Sequence, residues 1–191
     1  MRMIPSVVIG GAALTAAAFT LSDLVNREMD PVAETVSRFV NTGHGWLVTL
    51  GLWAFAAAAA ATFLAVRDRA ARILMGAFAI GILLAAVLPA DPPGHWANPS
   101  TSEQIHGLAA WIGLICFNIA AVRLSRRSPT LRAVAIIAAV CMGLFMVCTF
   151  DAMLFRELPN LIGLTERLAI AADLLWLCLA ARTLAKTAPA A

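Results

Sequence analysis

The sequence predicts an all-α, polytopic membrane protein: one six-transmembrane-helix bundle with both termini in the cytoplasm. Three observations lead there. Hydrophobic residues make up 61% of the 191 and charged residues 13%, against roughly 25% charged in soluble domains. Six stretches are long enough to cross a bilayer, which takes about 20 mostly apolar residues each. Arg and Lys fall mainly on one side of a six-crossing plan, and that bias sets orientation.

The expected crossings lie near 4–21, 46–66, 73–88, 105–124, 131–150 and 161–184, and they make residues 1–191 a single integral membrane domain. The first follows Arg2 and resembles a signal peptide in outline, but it is read as a transmembrane helix. After it, Asp30-Pro31 reads as an N-cap with proline at the first helical position. Val32, Val36, Phe39 and Val40 then recur at helical spacing, with Glu34 and Arg38 on another face. This pattern predicts a short amphipathic helix in the first outer loop, lying in the interface or folded as a lid over the bundle mouth. Gly43-His44-Gly45-Trp46 opens the second crossing, where alanines 56–61 invite close approach by a neighbouring helix. The third stops at Pro89-Ala90-Asp91-Pro92-Pro93, because proline cannot continue the helical ladder. Ser100-Thr101-Ser102-Glu103 is compatible with a capping box ahead of the fourth. Cys116, Cys141, Cys148 and Cys178 all fall within crossings, as small hydrophobes rather than disulfide partners.

On this plan Arg2, Arg67, Arg69, Arg72, Arg123, Arg126, Arg127, Arg132, Arg182 and Lys186 are cytoplasmic. Only Arg27, Arg38, Arg156 and Arg167 lie outside. The net charge of +3 therefore reports topology and gives no reason to expect nucleic acid as a partner. The outer side also gathers Asp23, Glu28, Asp30, Glu34, Asp91, Glu103, Asp151, Glu157 and Glu166, with His44, His95 and His106. Acidic residues contribute little to orientation, so their concentration needs another cause. Charge at the edge of hydrocarbon is costly and usually marks function. Glu166 and Asp173 are seven residues apart on one helical face, so Asp173 lies roughly 10 Å deeper.

Several stretches resemble the six-helix membrane family of domain of unknown function 998. They are Val36-Ser37 ahead of Gly45-Trp46-Leu47, and Leu88-Pro89-Ala90-Asp91-Pro92 leading to His106-Gly107-Leu108-Ala109-Ala110. Gly163-Leu164-Thr165-Glu166-Arg167-Leu168 follows, with Leu174-Leu175-Trp176 below. The resemblance spans nearly the whole chain and implies a six-helix bundle without an established activity. Its motifs make Asp91, His106, Glu166 and Arg167 the preferred site residues, with Asp23, Asp151, Asp173 and His44 as further ligand-binding candidates.

The leading functional expectation is an outward-facing polar pocket that binds a lipid, an isoprenoid or another amphiphile. Its membrane would be the cell inner (cytoplasmic) membrane, with the site on the periplasmic or extracellular face. Membrane lipids and an amphiphilic small molecule are the expected partners. Within a purely structural network, Arg167 would pair with Glu166 and Asp173 would hydrogen-bond across helices. An alternative is a metal-assisted or acid–base hydrolase acting on a lipid or lipid-linked substrate. There His106, Asp91 and His44 would hold zinc, and Glu166 or Asp151 would act as base. The chain lacks the His-x-x-x-His spacing of the membrane hydrolases that use such sites. A proton-coupled transporter is the third reading, suggested by intramembrane carboxylates.

Overall fold

The computed structural model describes residues 3–94 and 98–187, the last four for their backbone only. Arg2, His95 and the side chain of Lys186 lie outside the described residues. Among these residues there is no strand, and six α-helices carry the fold: α1 (Met3–Val25), α2 (Trp46–Ala65), α3 (Arg69–Val87), α4 (Thr101–Leu124), α5 (Pro129–Leu154) and α6 (Ile162–Thr187). The first five are long and apolar enough to cross a membrane. The sixth is as long, but Glu166, Arg167, Asp173 and Arg182 interrupt its apolar run. The chain is a polytopic helical membrane protein.

Helix ends follow local chemistry. Ser100 Oγ accepts the Glu103 N–H at 3.1 Å, so α4 starts at its cap rather than at the first apolar residue. The reciprocal half of the capping box does not form, because the Glu103 carboxylate takes the Asp91 N–H instead, at 2.7 Å. Asp68 caps α3 by accepting from Ala71 N at 2.8 Å, and Pro129 occupies the first turn of α5, where no N–H is missed.

Each helix packs on its neighbours in sequence, and α6 closes the ring against α1. Small residues set the approach distances, as van der Waals packing in a bilayer requires. Any side chain at Gly81 of α3 would strike the Ala109 carbonyl and Gly113 of α4. Gly11 of α1 packs against Ala54 and Ala58, the alanine-rich face of α2. Phe55, Phe78, Phe117 and Trp176 then fill the centre as a chain of ring contacts with centroids 4.8–5.5 Å apart. The outward faces are apolar as well: Ile73, Ile80, Ile119 and Val140 are each more than half exposed. Such a surface is suited to lipid rather than water.

The bundle has a basic end and a polar end. The basic end holds the α2–α3 and α4–α5 connections, where Arg123 Nε and Nη2 donate to the two Asp68 oxygens at 2.8 and 2.9 Å. That guanidinium pair holds the Asp68 carboxyl down at about 2. Trp176 Nε1 donates to Ser125 Oγ at 2.8 Å and ties α6 to the turn after α4.

The polar end is crossed by the segment between α1 and α2. An amphipathic helix was expected from Asp30 onward. Instead Asp30 makes a single turn, accepting from Val32 N on its side chain and from Glu34 N on its carbonyl. A six-residue 3-10 helix follows at Val36–Asn41. Tertiary bonds explain the interruption. Val32 O accepts from Leu164 N of α6, and Val36 N donates to the Glu166 carboxylate. Neither group is then free for an α-helical ladder. Val36 and Phe39 still point inward and are buried.

Candidate functional site

Residues 30–41 form a strap across the polar end, and Arg167 is its main anchor. From the second turn of α6, Arg167 Nε and Nη2 donate to Asp23 Oδ2 and Oδ1 of α1 at 2.8 and 2.6 Å. Its Nη1 donates to the backbone carbonyls of Glu34 and Gly163 at 2.9 and 3.0 Å. The guanidinium lies over the Phe39 ring, 5.0 Å from the centroid. One side chain thus joins α1, α6 and the strap, with the planar two-bond geometry that favours Arg over Lys.

The pair expected between Glu166 and Arg167 does not form. Consecutive helical residues point about 100° apart, so Arg167 reaches α1 while Glu166 turns toward the strap. Glu166 Oε2 accepts from Val36 N at 2.5 Å. Gly163 makes this closeness feasible, since a Cβ there would run into the carbonyl oxygens of Pro31 and Glu34.

Arg38 is the second anchor, and its side chain is only 1% exposed. It lies 3.7 Å from Glu34 Oε2 and 3.6 Å from Glu103 Oε1 of α4. A buried guanidinium needs compensating charge, and two carboxylates from different elements supply it. Desolvation raises the Glu34 carboxyl above its ordinary value, an effect partly opposed by Arg38. The strap ends at Asn41, whose Nδ2 donates to Ala90 O at 3.1 Å. Asn26 fixes the start of α2 by accepting from His44 N at 3.2 Å.

Asp91 and His106 hold the loop between α3 and α4. Both Asp91 oxygens accept from Ser100, one from its N–H and one from its hydroxyl, each at 2.7 Å. His106 is buried, and its Nδ1 lies 2.7 Å from Leu88 O. A carbonyl only accepts, so Nδ1 carries the hydrogen and donates. Asp151, buried near the end of α5, accepts from Glu157 N and Leu158 N at 3.3 and 3.0 Å and braces the α5–α6 connection. His44 is exposed. The expected zinc set of His106, Asp91 and His44 is not assembled. Among the described residues, no three His, Cys, Asp or Glu side chains gather where they could hold a metal ion. The reason is that Asp91 and His106 are each spent on bracing the α3–α4 loop, while the His44 side chain is exposed.

Deeper in α6, Asp173 is completely buried, and neither carboxylate oxygen has a hydrogen-bond partner. Asn118 of α4 lies beside it and acts on the carboxylate as a weak side-chain donor across the helices. The Asn118 amide donates to Leu114 O at 3.0 Å, and its Oδ1 is also buried without a partner. The contact expected from Asp173 across helices is thus present only in a weak form. Asp173 Oδ1 and Oδ2 and Asn118 Oδ1 sit in the bundle interior without a well-formed hydrogen bond.

The family model described as Protein of unknown function (DUF998) matches residues 9–183. The chain is a DUF998 protein. No curated protein and no solved structure matches it. In this DUF998 chain the stretch Leu88-Pro89-Ala90 acquires a structural explanation. Its three successive carbonyls accept from His106, Ser102 and Asn41 respectively. Residues from α4 and from the strap thus meet on one short extended piece of backbone.

Arg38, Glu34, Glu103, Asn26 and Asn41 belong to the polar end but were not among the expected site residues. Arg38 carried a usable signal: it is one of only four arginines expected at the end that is poor in arginine. Asn26 and Asn41 carried none, because an asparagine in a loop looks the same whether it braces a backbone or faces solvent.

Proposed function

We propose that this DUF998 protein binds an amphiphile at its polar end, beneath the strap, in a bundle that crosses the membrane six times. On this reading α6 is the sixth crossing, both termini are cytoplasmic, and the polar end faces outward from the inner membrane. Packing of α6 against α5 and α1 supports the sixth crossing, and the placement of arginine supports the orientation.

The observation that carries the binding reading is the set of three buried oxygens, Asp173 Oδ1 and Oδ2 and Asn118 Oδ1, without a well-formed hydrogen bond. Buried acceptors of this kind cost free energy unless something donates to them. A ligand head group with N–H or O–H donors answers that need, and the strap above would admit it when its ion pairs open. An ammonium or hydroxyl head fits; a carboxylate head does not.

Labelling the detergent-purified protein with a photoactivatable long-chain amine, beside a carboxylate of equal chain length, tests this. The amine should label the wild type in preference, and Asp173→Leu should abolish the preference. Equal labelling by both probes, or a preference that survives the substitution, would overturn the reading. The same buried carboxylate favours a second reading, proton-coupled transport. Its signature would be substrate-dependent proton uptake in proteoliposomes that Asp173→Asn eliminates.

A further inference from the structure

At the basic end, a cavity of about 400 Å³ opens between the turn at Ser125–Arg127 and the first two turns of α5. It is lined by Arg126, Arg127, Pro129, Arg132, Ala133 and Ile136. Of the other arginines at this end, Arg123 is held by Asp68 and Arg72 stacks 4.9 Å over Phe63, while Arg67 and Arg69 are exposed but do not line the cavity. Arg126, Arg127 and Arg132 have no acidic partner among the described residues, and all three are exposed. Three guanidinium groups that share one cavity repel one another until an anion joins them. The first turn of α5 adds to the demand, since it contains no acidic side chain to offset its N-terminal dipole.

The cavity has an apolar side as well. Ala133 and Ile136 form that wall, and from Ile136 the exposed residues Val140 and Leu144 continue at four-residue spacing up the same face of α5. Ile136, Val140 and Leu144 are 49%, 57% and 51% exposed. This stripe rises about 12 Å from the cavity into the apolar part of the bundle surface. A cationic cup that opens onto an apolar track matches one molecule in both parts: a phosphate at one end and a hydrocarbon chain at the other.

We infer that Arg126, Arg127 and Arg132 form a binding site for the phosphate head group of an anionic phospholipid, whose acyl chain lies along Ile136, Val140 and Leu144. Guanidinium groups bind phosphate oxygens through paired N–H donors, and basic pockets of this type between membrane helices take anionic head groups. The site is separate from the polar end and does not depend on the function proposed there.

The test is native mass spectrometry of the full chain released from micelles doped with phosphatidylglycerol or with phosphatidylcholine of identical chains. Wild type should retain phosphatidylglycerol in preference. The triple variant R126Q/R127Q/R132Q should lose that preference by about tenfold or more. The variant R67Q/R69Q removes two arginines of the same end that do not line the cavity, and it should behave as wild type. Since the three lining arginines are exposed, melting curves of the triple variant should overlay those of the wild type, which separates lost binding from lost folding. Equal retention of both lipids would overturn the site. So would an equal loss in R67Q/R69Q, which would mean diffuse surface charge. Competition by millimolar inorganic phosphate as effective as that by the lipid would also overturn it, in favour of a soluble anion.

Discussion

The two ends of the bundle use arginine in opposite ways. At the polar end Arg167 and Arg38 are drawn inward, and each joins elements far apart in sequence: α1, the strap and α6 for one, the strap and α4 for the other. At the basic end Arg123 makes one half-exposed pair with Asp68, while Arg126, Arg127 and Arg132 face out. Composition alone would not separate these roles. Depth does: a charge removed from water must find partners within the fold, whereas a charge at the surface is free to serve topology or lipid.

The sharpest way to break the contrast is Arg167→Ala. It strands Asp23 and leaves the Glu34 carbonyl without its donor. The pair is only partly exposed, at 17% and 22%, so the loss should be about 2–4 kcal/mol, somewhat below that of a fully buried pair. Reversible denaturation in detergent would measure it. An unchanged midpoint would mean that the strap is not held by this anchor.

Gly163→Ala should come next. Its methyl group meets two backbone carbonyls of the strap, and backbone cannot yield as a flexible side chain can. An overpacking cost of about 1–3 kcal/mol follows, read as a lower Tm. Gly10→Ala, which meets nothing, is the control. Equal effects of the two substitutions would show that the strap does not sit close against α6.

The smallest effect belongs to the basic end. The Asp68 carboxyl lies at about 2 in the folded chain, below its ordinary 3.8, so between these values the folded state binds fewer protons than the unfolded one. The stabilisation is complete above about pH 4 and is lost as pH falls through about 2. Arg123→Gln should lower stability modestly at neutral pH and flatten that part of the stability–pH curve, so that variant and wild type converge below about pH 2. A large neutral-pH loss would mean that the basic end, too, is held together by its charges.

Much of this was legible before any fold was drawn. Apolar runs marked the helices, Ser100 marked the start of α4, and the segregation of carboxylates marked the end where charged contacts would concentrate. The partners were not legible. Adjacency suggested Glu166 for Arg167, yet the partner is Asp23, 144 residues away. Grouping by side suggested that His106, Asp91 and His44 would converge, yet His106 and Asp91 satisfy nearby backbone and His44 is exposed. The amphipathic pattern after Asp30 was present, but bonds from α6 took the backbone groups that a helix would have used.

The sequence therefore settled the membrane-spanning class, most helix positions and the unequal chemistry of the two ends, because each depends on local hydropathy, caps and charge. Only the packed bundle decided that residues 30–41 become a strap, that Arg38 is buried between two carboxylates, and that Asp173 is buried without a well-formed hydrogen bond. A charged or polar group states in sequence that it needs a partner. Which partner it meets is set by the few ångströms between helices, and that distance exists only once Gly11, Gly81 and Gly163 have let their neighbours close in.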